Sequence, residues 1–264
     1  MRSKAVARVT VALGALCLGT GAALAQAQPT TGPASNCPVT RDQLATALKA
    51  AVKPSGGPSN GGLDNNEWAA IVNRDGNVCA IVFSGAKWQD QWLGSRPIAV
   101  EKANTALSFS LDGMALSTAN LYAGAQPDGF LFGIGRTNPP NDSIYEGDVE
   151  KFGTDADPVL GRRVGGVVTF GGGLALYNNA GLIAGLGVSG DTSCADHNVA
   201  WRIRHALNLD HAQKGPDRDK KDAIIYDIGL TGTSKSGYGL PKCAGKEADV
   251  GNELGAAVTS GLLP

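Results

Sequence analysis

Between Thr40 and Val52, Leu44, Leu48 and Ala51 recur at helical spacing, which predicts an amphipathic helix. Two β-rich runs follow, Trp68 to Asn73 and Val78 to Phe83, separated by Arg74-Asp75-Gly76-Asn77. An Asp-Gly between such runs predicts a hairpin. Ser95-Arg96-Pro97 opens a second helix, with proline near its first turn. There Ile98, Lys102, Thr105 and Phe109 form one stripe, and Val100, Ala103, Leu107 and Leu111 the opposite one. Its wholly polar arc is narrow (Glu101, Asn104, Ser108 and Asp112), so the helix is expected between two layers. A shorter helix is predicted from Ser117 to Gly124. Residues 136–165 carry Pro139-Pro140, several acids and several glycines. They read as a long irregular loop, of a kind that is functional or mobile.

Val167 to Tyr177 is extended and broken at Gly171-Gly172-Gly173; the chain turns at Asn178-Asn179-Ala180-Gly181 and returns as a strand from Leu182 to Ser189. A helix from Ser193 to about Leu207 follows, with Val199, Ile203, Ala206 and Leu207 toward the interior. Residues 210–222 mix both signs of charge and read as solvated; 223–264 form a C-terminal extension. Helix, hairpin, two helices, hairpin, helix is the order of an α+β fold with an antiparallel sheet.

The first residues change the arithmetic. Arg2, Lys4 and Arg8 precede an apolar run from Val9 to Leu24 that ends in Ala23-Leu24-Ala25. That is the pattern of a Sec-type signal peptide, residues 1–25, and it places the mature chain in the periplasm or outside the cell. A Gln/Pro/Thr/Gly/Ser-rich leader, residues 26–39, comes next. The full chain of 264 residues has 23 basic and 24 acidic side chains; without the three basic ones of the leader peptide the net charge is −4. No basic patch marks a nucleic-acid surface, and no later window is apolar enough to span a membrane. Of five cysteines, Cys17 leaves with the signal peptide. Cys37, Cys79, Cys194 and Cys243 make an even set that suggests two disulfides in an exported chain. Three pairings are open; Cys37–Cys79 with Cys194–Cys243 is favoured, each clipping a terminal segment onto the middle.

Several motifs imitate known chemistry. Gly185-Leu186-Gly187-Val188-Ser189-Gly190 fits G-x-G-x-x-G, but its strand pairs through a hairpin and not in a parallel βαβ unit. Ser189 resembles a nucleophile elbow, except that Asp191 stands where glycine is required. No C-x-x-C-H occurs, so haem would not be covalently attached. Asp196 faces inward in the first turn of its helix; Ser193-x-x-Asp196 has capping-box spacing, and the alternative is a carboxylate at a pocket rim. His197, Trp201 and His205 are spaced i, i+4, i+8, either a surface stripe or an imidazole ligand for iron beside an aromatic wall. Lys102 either snorkels or reaches an anionic ligand. Gly171 to Gly173 either permits a bulge or bares N–H groups for a carboxylate.

Four segments together carry a resemblance: AAIVNRDGNVCAIVFSG, GSRPIAVEKANTALSFS, LYAGAQPDGFLFGIG and FGGGLALYNNAGLIAGLGVSGDTSCADHNVA. They resemble the GlcG/HbpS-like family, described as haem-binding or haem-degrading, over roughly residues 40–208. A related domain is found fused to cobalamin adenosyltransferases. The motif hallmarks are Lys102 to Ala106 and the string from Gly171 to Ala200. The resemblance implies a profilin-like sheet of about five antiparallel strands flanked by helices. It also implies homo-oligomers and, in some members, binding of haem or another tetrapyrrole. By position in the family it marks Lys102, Thr105, Gly171, Gly172, Gly173 and Asp196 as pocket residues.

Residues 40–208 are thus expected to form the family domain, and 209–264 an extension tied back by a disulfide. The leading expectation is an exported small-molecule-binding protein for haem or a related tetrapyrrole, with His197 or His205 as iron ligand. One alternative is a cofactor-free lyase, isomerase or haem-degrading enzyme, in which Lys102 or Asp196 exchanges a proton with the substrate. The other is a non-catalytic module that binds a partner.

Overall fold

A computed structural model describes residues 36–54 and 59–259. The segment read as a signal peptide, 1–25, and the leader up to residue 35 lie outside the described residues. Helix α1, Arg41–Val52, starts at Thr40 through a reciprocal cap with Gln43. The first hairpin joins β1, Trp68–Asn73, to β2, Val78–Phe83; the second joins β3, Gly173–Asn178, to β4, Gly181–Ser189. Helix α2, Ser95–Phe109, follows the first hairpin, then the single turns α3, Tyr122–Ala125, and α4, Ile134–Thr137. Helix α5, Ser193–Ala206, follows the second hairpin. The extension contributes β5, Ile224–Ile225, α6, Glu247–Leu254, and β6, Ala257–Val258.

The main sheet has four strands in the order β2-β1-β4-β3, all neighbours antiparallel, so the class is the α+β expected with one strand fewer than about five. A short parallel pair, β5-β6, stands apart. One face of the sheet packs on α1 and α5 through Leu44, Leu48, Ile71, Leu176, Leu186, Val199 and Ile203. The other packs on α2 through Ala70, Ile81, Ala99, Val100, Ala103 and Leu107. Both faces are covered, which is why every residue of β1 is buried.

The decoy glycines find their explanation here. A side chain at Gly185 would collide with the Ala103 carbonyl, and one at Gly187 with the Ala99 carbonyl. Glycine lets α2 lie directly on β4, so the G-x-G spacing records helix-on-strand packing, not phosphate binding.

Residues 136–165 are not a free loop. Ile144, Phe152, Val159, Leu160 and Val164 are buried in the α2-side core. Arg96, in the first turn of α2, donates from Nη1 to Ile144 O at 2.6 Å and pairs with Asp157, with both side chains buried. The segment also bonds the outer edge of β2, through Val78 N to Arg162 O and Gly161 N to Val78 O, each 2.9 Å. The chain spends its irregular stretch on closing an edge strand. Residues 210–222 are only partly solvated, since Asp222 is fully buried against Arg204 through bonds of 2.7 and 2.8 Å. The disulfides are Cys37–Cys79 and Cys194–Cys243; the second fastens the extension to α5.

Candidate functional site

Lys102 sits mid-way along α2 on the stripe facing the end of β4. Its side chain is fully buried, donating to Asp196 Oδ2 at 2.6 Å and to Val188 O at 2.9 Å. Asp196 is also buried, and its other oxygen accepts from Gly190 N at 3.1 Å and Asp191 N at 2.8 Å. The capping expectation is corrected: Thr192 is the N-cap, its hydroxyl accepting from Ala195 N, and Asp196 lies one turn further in. Burial raises the Asp196 carboxyl to about 6, against the pull of Lys102.

The glycines close around this pair. A Cβ at Gly172 would meet Val188 O, Lys102 Nζ and Asp196 Cβ, and its φ of 113° is one that side chains resist. Gly171 lies against Ser193 O and His197 Cβ; Gly173 N donates to Thr118 Oγ1 at 2.9 Å. Thr105, also buried, donates to Glu101 O at 2.7 Å and accepts from Val168 N at 3.0 Å, tying the approach to β3 onto α2. The residues singled out in the family motifs thus come together as a closed polar knot.

Three further groups were missed. Glu67, just before β1, is 2% exposed, and its Oε2 has no hydrogen-bond partner among the described residues. Burial pushes its carboxyl well above the usual range, and the Asp196 and Asp191 carboxylates add to that. Phe170 places its ring centroid 4.9 Å from Lys102 Nζ. Its position before three glycines was a usable signal; Glu67, in an acidic and amide-rich run, offered none. Asp210 is the third, bonded through Oδ2 to His205 Nδ1 at 2.8 Å.

The two histidines are not brought together. Eight helical residues separate them by about 12 Å. His197 is fully buried with neither ring nitrogen bonded, stacked on Trp201 at a centroid distance of 6.1 Å. Burial, opposed by the Asp222 carboxylate, lowers it to about 3, so it is neutral at physiological pH. His205 is exposed and lines a groove of about 460 Å³ between α1, α5 and α6. Ala47 and Ala51 give the groove a smooth wall, Trp201 and Leu254 apolar area, and Arg202 a positive charge. The Asp210 contact occupies Nδ1 of His205, the carboxylate–histidine arrangement that can orient an imidazole toward a metal. Burial would raise the Asp210 carboxyl, but the His205 bond and backbone bonding outweigh it and hold it low. Among the described residues no cluster of three His, Cys, Asp or Glu side chains could hold a bare metal ion, and no helix is long and apolar enough to cross a membrane.

A family model described as haem degrading protein HbpS-like matches residues 63–203. A crystal structure of a PduOC:heme complex is 24% identical, with 65% of this chain and 94% of that one covered at a TM-score of 0.45. The Klebsiella pneumoniae protein ORFY is 20% identical over 64% of this chain and 90% of its own, at a TM-score of 0.44. HbpS is 18% identical over 69% and 94%, at a TM-score of 0.39. No curated protein matches the chain.

Proposed function

The chain belongs to the HbpS-like family of haem-degrading proteins, and from that premise we propose that it is an exported haem-binding protein whose iron ligand is His205. The observation that carries the ligand assignment is the His205–Asp210 pair on the lip of the α1–α5–α6 groove. The groove's volume of about 460 Å³ suits a flat macrocycle lying partly in solvent. Trp201 supplies an aromatic wall, and the alanines of α1 let the ring approach closely. Arg202 would attract a propionate, and Glu253 on the same rim would repel one. When bound, haem supplies iron-centred ligand-binding and redox chemistry. Asp210 holds the His205 tautomer, and His197, neutral and enclosed, serves packing. The signal-peptide pattern and two disulfides support a periplasmic or secreted location. The family resemblance adds homo-oligomers to this proposal.

The test is a haemin titration of the purified chain followed by Soret absorbance. A shift at micromolar haemin is expected, lost in His205→Ala and kept in His197→Leu. No shift in the native chain would sink the haem assignment. A native-like shift in His205→Ala would move the ligand out of this groove.

A further inference from the structure

Glu67 is a buried group without an evident structural duty. Its backbone is fully used: N–H donates to Ser84 Oγ at 3.0 Å and C=O accepts from Ser84 N at 3.0 Å. Its carboxyl is not, since Oε2 is buried and unbonded. Glu67 packs on Gly190, the residue whose N–H holds Asp196, so the two carboxyls share one neighbour. Lys102 completes the group. Two of its three N–H donors go to Asp196 and Val188, and the Phe170 ring lies over the ammonium. Glu67, Lys102 and Asp196 are at most 2% exposed, whereas Phe170 is 37% exposed. It stands directly before Gly171-Gly172-Gly173, at the surface end of the knot.

We propose that Glu67, Lys102 and Asp196 form an acid–base site for a short carbonyl compound bearing a hydrogen on the adjacent carbon, with Phe170 as its door. A carbonyl oxygen entering under the ring meets the Lys102 ammonium and the Glu67 carboxylic acid as donors. Asp196 loses Lys102 to the substrate and presents Oδ2 as the base, while Gly190 and Asp191 N–H hold Oδ1 in place. The substrate C–H bond breaks, its proton goes to Asp196, and its electron pair becomes the carbon–carbon double bond of an enol. The carbonyl oxygen takes the Glu67 proton. Reversal returns the ketone, with both carboxyls restored to their starting charge. This site is separate from the His205 groove and does not depend on haem.

The experiment incubates the mature chain with pyruvate or dihydroxyacetone in D2O and follows loss of the α-hydrogen signal by proton NMR. Exchange is expected well above the buffer rate, falling by about 100-fold in Glu67→Gln and in Asp196→Asn. Glu67→Gln keeps the shape of the site and carries the test if Asp196→Asn does not fold. Exchange at the buffer rate with both probes, or equal exchange in native and Glu67→Gln chains, overturns the proposal. The door is read without activity, by acetylation of Lys102 with an amine-selective reagent and peptide mass analysis. Lys102 is expected to stay unlabelled in the native chain and to label in Phe170→Ala; equal labelling of the two overturns the role of Phe170.

Discussion

His197→Leu should flatten the acid side of the stability curve, and the amount follows from where the ring sits. The imidazole is fully buried, unbonded at both nitrogens, and lowered to about 3. In the unfolded chain a histidine titrates near 6.5. Between those values the unfolded chain binds the proton and the folded chain does not, so stability falls as pH falls from about 6.5 toward 3. The loss is about 2 kcal/mol at pH 5 and approaches about 5 kcal/mol near pH 3. Asp196 and Glu101, whose carboxyls burial raises to about 6 and about 7, act in the opposite direction. As the pH falls they take up protons more readily folded than unfolded, and stability rises. They are common to both chains and cancel in the difference. Urea unfolding of the haem-free native and variant chains at pH 7 and pH 5 isolates the ring. At pH 7 the variant should be no less stable, because it replaces two unbonded nitrogens. At pH 5 it should gain about 2 kcal/mol on the native chain, roughly 4–8 °C in melting temperature. A native–variant difference that does not move between these pH values would refute the account of a neutral, enclosed imidazole.

Removing Cys194–Cys243 with paired serine substitutions opens a closure 49 residues apart in sequence. It should cost about 4 kcal/mol in urea unfolding. Asp222→Asn leaves the buried Arg204 guanidinium without its bidentate carboxylate. A loss of about 3–5 kcal/mol is expected, much of it regained when Arg204→Met is added. Asp210→Asn should weaken haemin binding by about 10-fold or more in the Soret titration while leaving the melting temperature nearly unchanged, since Asp210 orients His205 at the surface.

What could be read from the chain, and what could not, divides along physical lines. The first hairpin was legible to the residue because both strands are apolar runs and Asp75-Gly76 permits a tight turn. Helix α2 was legible because its narrow polar arc implied burial on most sides, and it lies between the sheet and residues 136–165. Those residues misled because composition reports backbone irregularity, not packing. Their anchor, Asp157 on Arg96, joins positions 61 apart in sequence, which no local pattern encodes. The same holds for Asp222 on Arg204 and for Glu67 beside Asp196. Family motifs brought Lys102, Gly172 and Asp196 onto one shortlist, but not the geometry that closes them into a knot. The i, i+4, i+8 stripe treated His197 and His205 as equivalents. Gly171 and Trp201 bury the first, and the end of α5 exposes the second.

The buried knot and the groove stand differently to the family-matched stretch. Glu67, Lys102, Phe170 and Asp196 all fall within residues 63–203. The groove does so only through Trp201 and Arg202: α1 precedes that stretch, and His205, Asp210 and α6 follow it. Its third wall exists because the extension is fastened to α5 by Cys194–Cys243 and by Asn198 Nδ2 donating to Glu247 O at 2.9 Å. A chain lacking the extension would keep the buried knot and lose the wall carrying Glu253 and Leu254. The knot is therefore a property the family-matched fold can carry by itself, whereas the groove depends on additions at both ends. Haem binding that survives His205→Ala would place the ligand with the family-matched residues. Haem binding that vanishes would mean that this chain built its own site at the helix end farthest from the knot.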